Sequence, residues 1–143
     1  MKRARVKRQS KKNPLVRECD NLVRAIVFDR DDYKCVQCGS QKVLDPAHIH
    51  CKNRYQNIRF LEINILTGCR ECHIYWHNHP KEFRIFVMWM YPERWDALLL
   101  LKEQMPSPDL KDLRLELLAR QPEIASVPQP KFMTKDDWDS MPF

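Results

Sequence analysis

Gly68-Cys69-Arg70-Glu71-Cys72-His73-Ile74-Tyr75-Trp76-His77 sets two cysteines two residues apart and two histidines four residues apart on one short segment. A counterpart, Cys35-Val36-Gln37-Cys38-Gly39, lies upstream with 30 residues between the two cysteine pairs. A two-residue gap lets both sulfurs of such a hook reach one ion, four thiolates at about 2.3 Å satisfy tetrahedral Zn²⁺, and a glycine eases each tight turn. Two hooks together predict a structural zinc site of Cys35, Cys38, Cys69 and Cys72 rather than a redox pair. Cys19 and Cys51 are left as ordinary thiols.

Around these hooks the pattern alternates between helical and extended. Leu22, Val23, Ile26 and Val27 recur at helical spacing and predict an amphipathic helix from Glu18 to about Arg30, leading into the first hook. Lys42–Ile49 and Ile63–Thr67 are expected to be extended, and a helix is expected from Cys69 to about Asn78, stopped by Pro80. Three further helices are expected over Lys81–Met90, Pro92–Gln104 and Pro108–Arg120, with Ser107 as an N-cap. Phe83, Val87, Met90, Trp95, Leu98 and Leu99 are expected to pack over the metal-bound centre. The expected fold class is α+β: a zinc-stabilised core of two strands and a helix, with flanking helices.

Length and charge bound the rest. At 143 residues, with 43% hydrophobic and 31% charged residues, the composition suits one soluble domain and excludes collagen-like or wholly disordered classes. The longest apolar run, Ala97 to Leu101, is far short of the roughly 20 residues of a membrane span. The basic start leads into no apolar signal region, so a cytoplasmic location is expected. Residues 1–17 carry eight basic side chains and no acid, whereas the other 126 hold 17 basic and 19 acidic residues. This arm is expected to be flexible, and Lys2, Arg3, Arg5, Lys7, Arg8, Lys11 and Lys12 are candidate phosphate contacts that add affinity without base readout. A solubilising tail is the alternative reading. Residues 18–120 then form the folded domain, and 121–143, broken by Pro122, Pro128 and Pro130, a disordered tail.

All five histidines fall between His48 and His79, inside or beside the cysteine frame. His73 and His77 project from one helix face and can meet one ion. If zinc pins the hooks together, the strand pair and the helix are gathered around His48, with Asn64 at the start of the second strand. A histidine set of this kind suits hydrolysis of a phosphodiester. One imidazole takes a proton from water, and a divalent ion stabilises the developing charge. Arg54 and Arg59, between the strands, are candidate phosphate clamps or plain surface charges. His50 and His79 are expected outside the ligand shell.

These residues resemble the HNH, or ββα-metal, endonucleases of small phages and prophages. The likeness covers about Leu22 to Pro80 and rests on Arg30 to Gly39, Ala47-His48-Ile49, Arg59-Phe60, Asn64, Cys69 to His73 and Trp76-His77-Asn78-His79-Pro80. It implies a ββα-metal core and a metal-dependent DNA endonuclease acting in phage or bacterial recombination, replication or packaging. It implies His48 as general base, Asn64 as the residue that orients the loop or assists the metal, and His73 as ligand of a catalytic Mg²⁺ or Mn²⁺, with Zn²⁺ also admissible. The sequence departs from the family at Ala47, where many members carry a second ligand. His77 is the first substitute, followed by Asp45 or His50. That departure sustains the alternative of a non-catalytic zinc-binding adaptor for DNA and protein. The last residues, Asp136 to Phe143, resemble the acidic Pro-Phe tip of bacterial single-stranded DNA-binding proteins. The likeness makes Trp138, Pro142 and Phe143 candidate contacts for a protein that binds such tips.

Overall fold

The computed structural model describes residues 13–122. The candidate phosphate contacts from Lys2 to Lys12 and the tail residues Trp138, Pro142 and Phe143 lie outside the described residues. No helix among the described residues is long and apolar enough to cross a membrane.

The first helix, α1 (Pro14–Arg30), begins four residues before the expected Glu18. The Asn13 side chain accepts from the Leu15 N–H at 3.0 Å, and Pro14 fills the first turn, so residues 14–17 belong to the helix rather than to the arm. Amphipathic periodicity cannot register such a start, because a cap contributes no apolar side chain. The buried face of α1, formed by Cys19, Val23, Ile26 and Val27, packs with Phe60, Ile65 and Leu117 into one of two apolar cores.

A sharp turn through Asp32 and Tyr33, both at positive φ, redirects the chain into the first cysteine hook. Gly39 at φ +74° lets its N–H reach the Cys35 carbonyl at 2.8 Å, as the tight-turn expectation required. Two strands follow, β1 (Leu44–His48) and β2 (Ile65–Cys69), paired antiparallel with His48 opposite Ile65 and Leu44 opposite Cys69. The expected second strand loses its first residues. Ile63 and Asn64 belong instead to a 3₁₀ turn, Glu62–Asn64. Arg30 fixes that corner by donating to the Glu62 carbonyl at 2.7 Å and the Ile65 carbonyl at 2.7 Å.

From β2 the chain passes directly into α2 (Arg70–Asn78), with Cys69 as its N-cap. His79 then separates it from α3 (Pro80–Met90), and Tyr91 separates α3 from α4 (Pro92–Gln104). The last helix, α5 (Leu110–Ala119), is shorter than expected and is capped by Asp109, not Ser107. The Asp109 carboxylate takes the Lys111 and Asp112 N–H groups at 3.0 and 3.1 Å. Among the described residues the architecture is thus α+β, with five α-helices and one two-stranded sheet.

The second core holds the four hook cysteines, Ala47 and Trp76, with Phe83 and Phe86 of α3 packed against it. Val87 and Leu98 are buried as expected, but Met90 and Leu99 are exposed and cover nothing. Gly68 has a different use from Gly39. A Cβ there would stand 2.6 Å from Cζ3 of Trp76, so its bare backbone is what lets α2 lie down on β2.

Candidate functional site

The four hook cysteines are all buried, and their sulfurs lie within 4.8 Å of one another. Cys38 Sγ and Cys69 Sγ are 3.6 Å apart, near the roughly 3.8 Å edge of a tetrahedron with 2.3 Å metal–sulfur bonds. The Cys72 N–H points at Cys69 Sγ from 3.4 Å. Hydrogen bonds from the Cys69 and Cys72 thiols favour a thiolate at Cys35 and pull its pKa down to about 2. The resulting contact with Cys35 drives Cys69 up to about 12 and raises Cys72 as well. Cys38 is raised by burial first. Four sulfurs gathered this tightly can shed their protons together only around a cation, and the donor set is the one zinc takes. This is the only group of three or more such metal-ligand side chains gathered this closely among the described residues.

Beside the cysteine knot, the first residues of the interstrand loop and the joint between α2 and α3 enclose a cavity of about 360 Å³. His48, His73 and His77 line it with Ala47, Lys52 and Trp76. The three histidines expected to work together thus share one concave site. His48, the last residue of β1, is held by a 3.0 Å bond between Nε2 and the Arg59 carbonyl. A carbonyl can only accept, so Nε2 carries the hydrogen and Nδ1 keeps a lone pair. Burial lowers the pKa of His48 to about 4, and the charge of Lys52 acts the same way against the raising effect of the Arg59 carbonyl. The ring is neutral at pH 7.

His73 and His77 sit one turn apart on α2, with their Nε2 atoms 3.1 Å apart. Two nitrogens at that separation, each about 2.1 Å from a shared ion, subtend about 95° at it, close to neighbouring octahedral positions. The opposite nitrogen of His73, Nδ1, faces Asp45 Oδ2 at 3.4 Å. Asp45 is gripped in turn by Arg70 through bonds of 2.9 and 3.1 Å, which hold its carboxyl below the ordinary range. A carboxylate behind one ring nitrogen fixes the tautomer that leaves the other free to bind metal. Burial lowers the pKa of His73 and favours the neutral ring a ligand must have, although the Asp45 bond opposes it.

Asn64 is fully buried and does not line the cavity. Its Oδ1 accepts from the His50 N–H at 2.8 Å, and its Nδ2 donates to the His50 and Ile58 carbonyls at 3.2 and 3.3 Å. That side chain ties together the two ends of the loop that follows His48. His50 is turned away from the cavity toward Tyr55 and Trp95 and is no substitute ligand. His79 caps α2 with a 3.0 Å contact to the Tyr75 carbonyl.

The two loop arginines are placed differently from each other. Arg59 is committed to Asp20 of α1 through two bonds, 3.0 and 2.5 Å, so its guanidinium braces the loop rather than waiting for a phosphate. Arg54 is exposed, lies over the Tyr55 ring at 5.5 Å and is not part of the cavity wall. Lys52 and Asn53 are the polar loop side chains that line it. Their position depends on how the loop after β1 turns, which nothing in residue type or spacing signals. No protein-family model, curated protein or solved structure matches this chain.

Proposed function

We propose that the protein is a metal-dependent DNA endonuclease of the ββα-metal kind, with Zn²⁺ in the cysteine site as a structural ion. The observation that carries this reading is that His48, with a free Nδ1, and the His73–His77 pair line one cavity beside the cysteine knot. A zinc module with no chemistry to perform has no need for a tautomer-locked imidazole facing a second pair of imidazoles.

In this reading His48 Nδ1 takes a proton from a water as the water oxygen bonds to phosphorus, and the bond from phosphorus to the 3′ oxygen breaks. His73 and His77 would hold a Mg²⁺ or Mn²⁺, whose chemistry there would be Lewis-acid stabilisation of the phosphoryl and leaving oxygens. Asp45 keeps His73 facing inward, and Asn64 and the Arg59 carbonyl keep His48 in place. Ala47, at 2% exposure, offers no donor, so the protein supplies two imidazoles and solvent completes the shell.

That thin ligand set is also the observation favouring the second reading, an adaptor that binds DNA without cutting it. Supercoiled plasmid incubated with Mg²⁺, Mn²⁺ or EDTA separates the two. The endonuclease gives nicks that disappear with EDTA and with His48→Ala. Binding without nicking in either metal, or undiminished nicking by His48→Ala, refutes the proposed mechanism.

A further inference from the structure

The cavity is built for more than a phosphate. One wall is apolar and aromatic: Pro80 and Phe83 of α3 with Trp76 of α2 behind them. Trp76 and Phe83 stack at 4.8 Å between ring centroids, and Phe83 remains half-buried with part of its ring open. Part of this wall packs on the cysteine core, and hydrolysis of a phosphodiester gives no use to the part that lines the cavity. A phosphate is an anion, and the side chains that serve it are the three histidines on the polar side.

One basic side chain, Lys52, lines the cavity on the loop side, and Arg54, Lys81 and Arg84 are its neighbours along the loop and along α3. All four are exposed, and none forms an ion pair among the described residues. A cation beside an aromatic surface is a format that holds a single strand, with a phosphate on the cation and a base on the ring. In a duplex the base belonging to the scissile phosphate is stacked and paired, and it cannot turn into a recess of this size without leaving the helix.

Resting on the endonuclease reading, we infer that the substrate is a DNA strand unpaired at the cleavage position, with the base beside the scissile phosphate lying on Phe83. Discrimination then comes from stacking, which tolerates any base, so no sequence preference follows from this contact.

The test uses the full chain loaded with zinc and three fluorescent substrates of one sequence: a single strand, the duplex, and the duplex with a central unpaired gap. Cleavage is followed in Mn²⁺, and binding by anisotropy with no divalent ion added to the zinc-loaded protein. The expected result is cleavage of the single strand and of the gap at least about tenfold faster than the duplex. Phe83→Ala should lose about tenfold or more on the unpaired substrates while changing the duplex rate little. Phe83→Leu, which keeps the packing against Trp76, should show the same loss, and unchanged zinc content and melting separate it from misfolding. Lys52→Ala should reduce the salt dependence of single-strand binding.

Equal or faster cleavage of the duplex overturns the inference and leaves the endonuclease reading standing. Absence of His48-dependent cleavage on all three substrates overturns the endonuclease reading. In that case, equal anisotropy affinities for single strand and duplex, or affinities unaffected by Phe83→Leu, overturn the strand preference too.

Discussion

Replacing Gly68 with alanine tests whether the position of α2 on the sheet is set by one missing side chain. The added Cβ would lie 2.6 Å from Trp76 Cζ3 and 3.2 Å from Cη2. Non-bonded carbons settle at about 3.5–4.0 Å, so the indole must retreat by about 1 Å. It has little room: Phe83 stacks on it at 4.8 Å, Phe86 at 5.8 Å, and its N–H is bonded to Gln37. Overpacking of this kind costs about 1–3 kcal/mol, offset by about 0.5–1 kcal/mol from removing a strand glycine. A net loss of about 1 kcal/mol lowers the melting temperature of a domain this size by about 5 °C. The assay is calorimetric melting of the zinc-loaded protein, paired with the cleavage rate that the proposed endonuclease reading expects. The helix that shifts also carries His73, and a 1 Å displacement of a reacting group can cost about a hundredfold in rate. Trimming the indole with Trp76→Leu should cost less in the Gly68→Ala background than in the parent, a coupling of about 1 kcal/mol or more. A Gly68→Ala protein that melts within about 2 °C of the parent and cleaves as fast refutes the reasoning.

Zinc removal by a strong chelator should collapse the second core, because the metal–thiolate bonds that hold the two hooks together are lost as the cysteines take their protons back. Loss of near-ultraviolet signal from Trp76, restored by added zinc, checks this. Asp45→Asn should weaken Mn²⁺ binding at the histidine pair by about 10- to 100-fold while leaving zinc content intact, and titration calorimetry reads both. Acid should destabilise the fold before any carboxylate titrates. His48 has a folded pKa of about 4 against about 6.5 unfolded, so the unfolded state binds more protons between those values and stability falls as pH drops through them. The loss reaches about 3 kcal/mol by pH 4. His48→Gln should flatten the stability profile over that window, and a profile that keeps its slope shows that another group is responsible. At lower pH Asp31 continues the trend. Burial works against its ionised form, but the Arg30 bonds and the Thr67 N–H prevail and lower its pKa, so protonating it releases the end of α1 from β2.

Residue type and spacing alone carried the cysteine site, the α+β class and the order of the elements. Each of these follows from short-range rules: two sulfurs two residues apart reach one ion, and apolar residues three and four apart share a helix face. The pairing of His73 with His77 was legible for the same reason, since one turn of α2 fixes it. Features that depend on long-range approach were not legible. The Asn64 bonds to His50 and Ile58, the commitment of Arg59 to Asp20, and the hold of the Arg59 carbonyl on His48 arise only when α1, the interstrand loop and β2 meet. Gly68 looked like a turn residue beside a cysteine, and its use is the contact with an indole eight positions on. Asp45 as the brace of His73, and Lys52 in place of the two arginines at the cavity, were decided by the register of β1 against β2 and the path of the loop. Sequence sets which groups a segment carries; only the packed chain decides which of them meet, because that choice is made by burial and sterics across the whole domain.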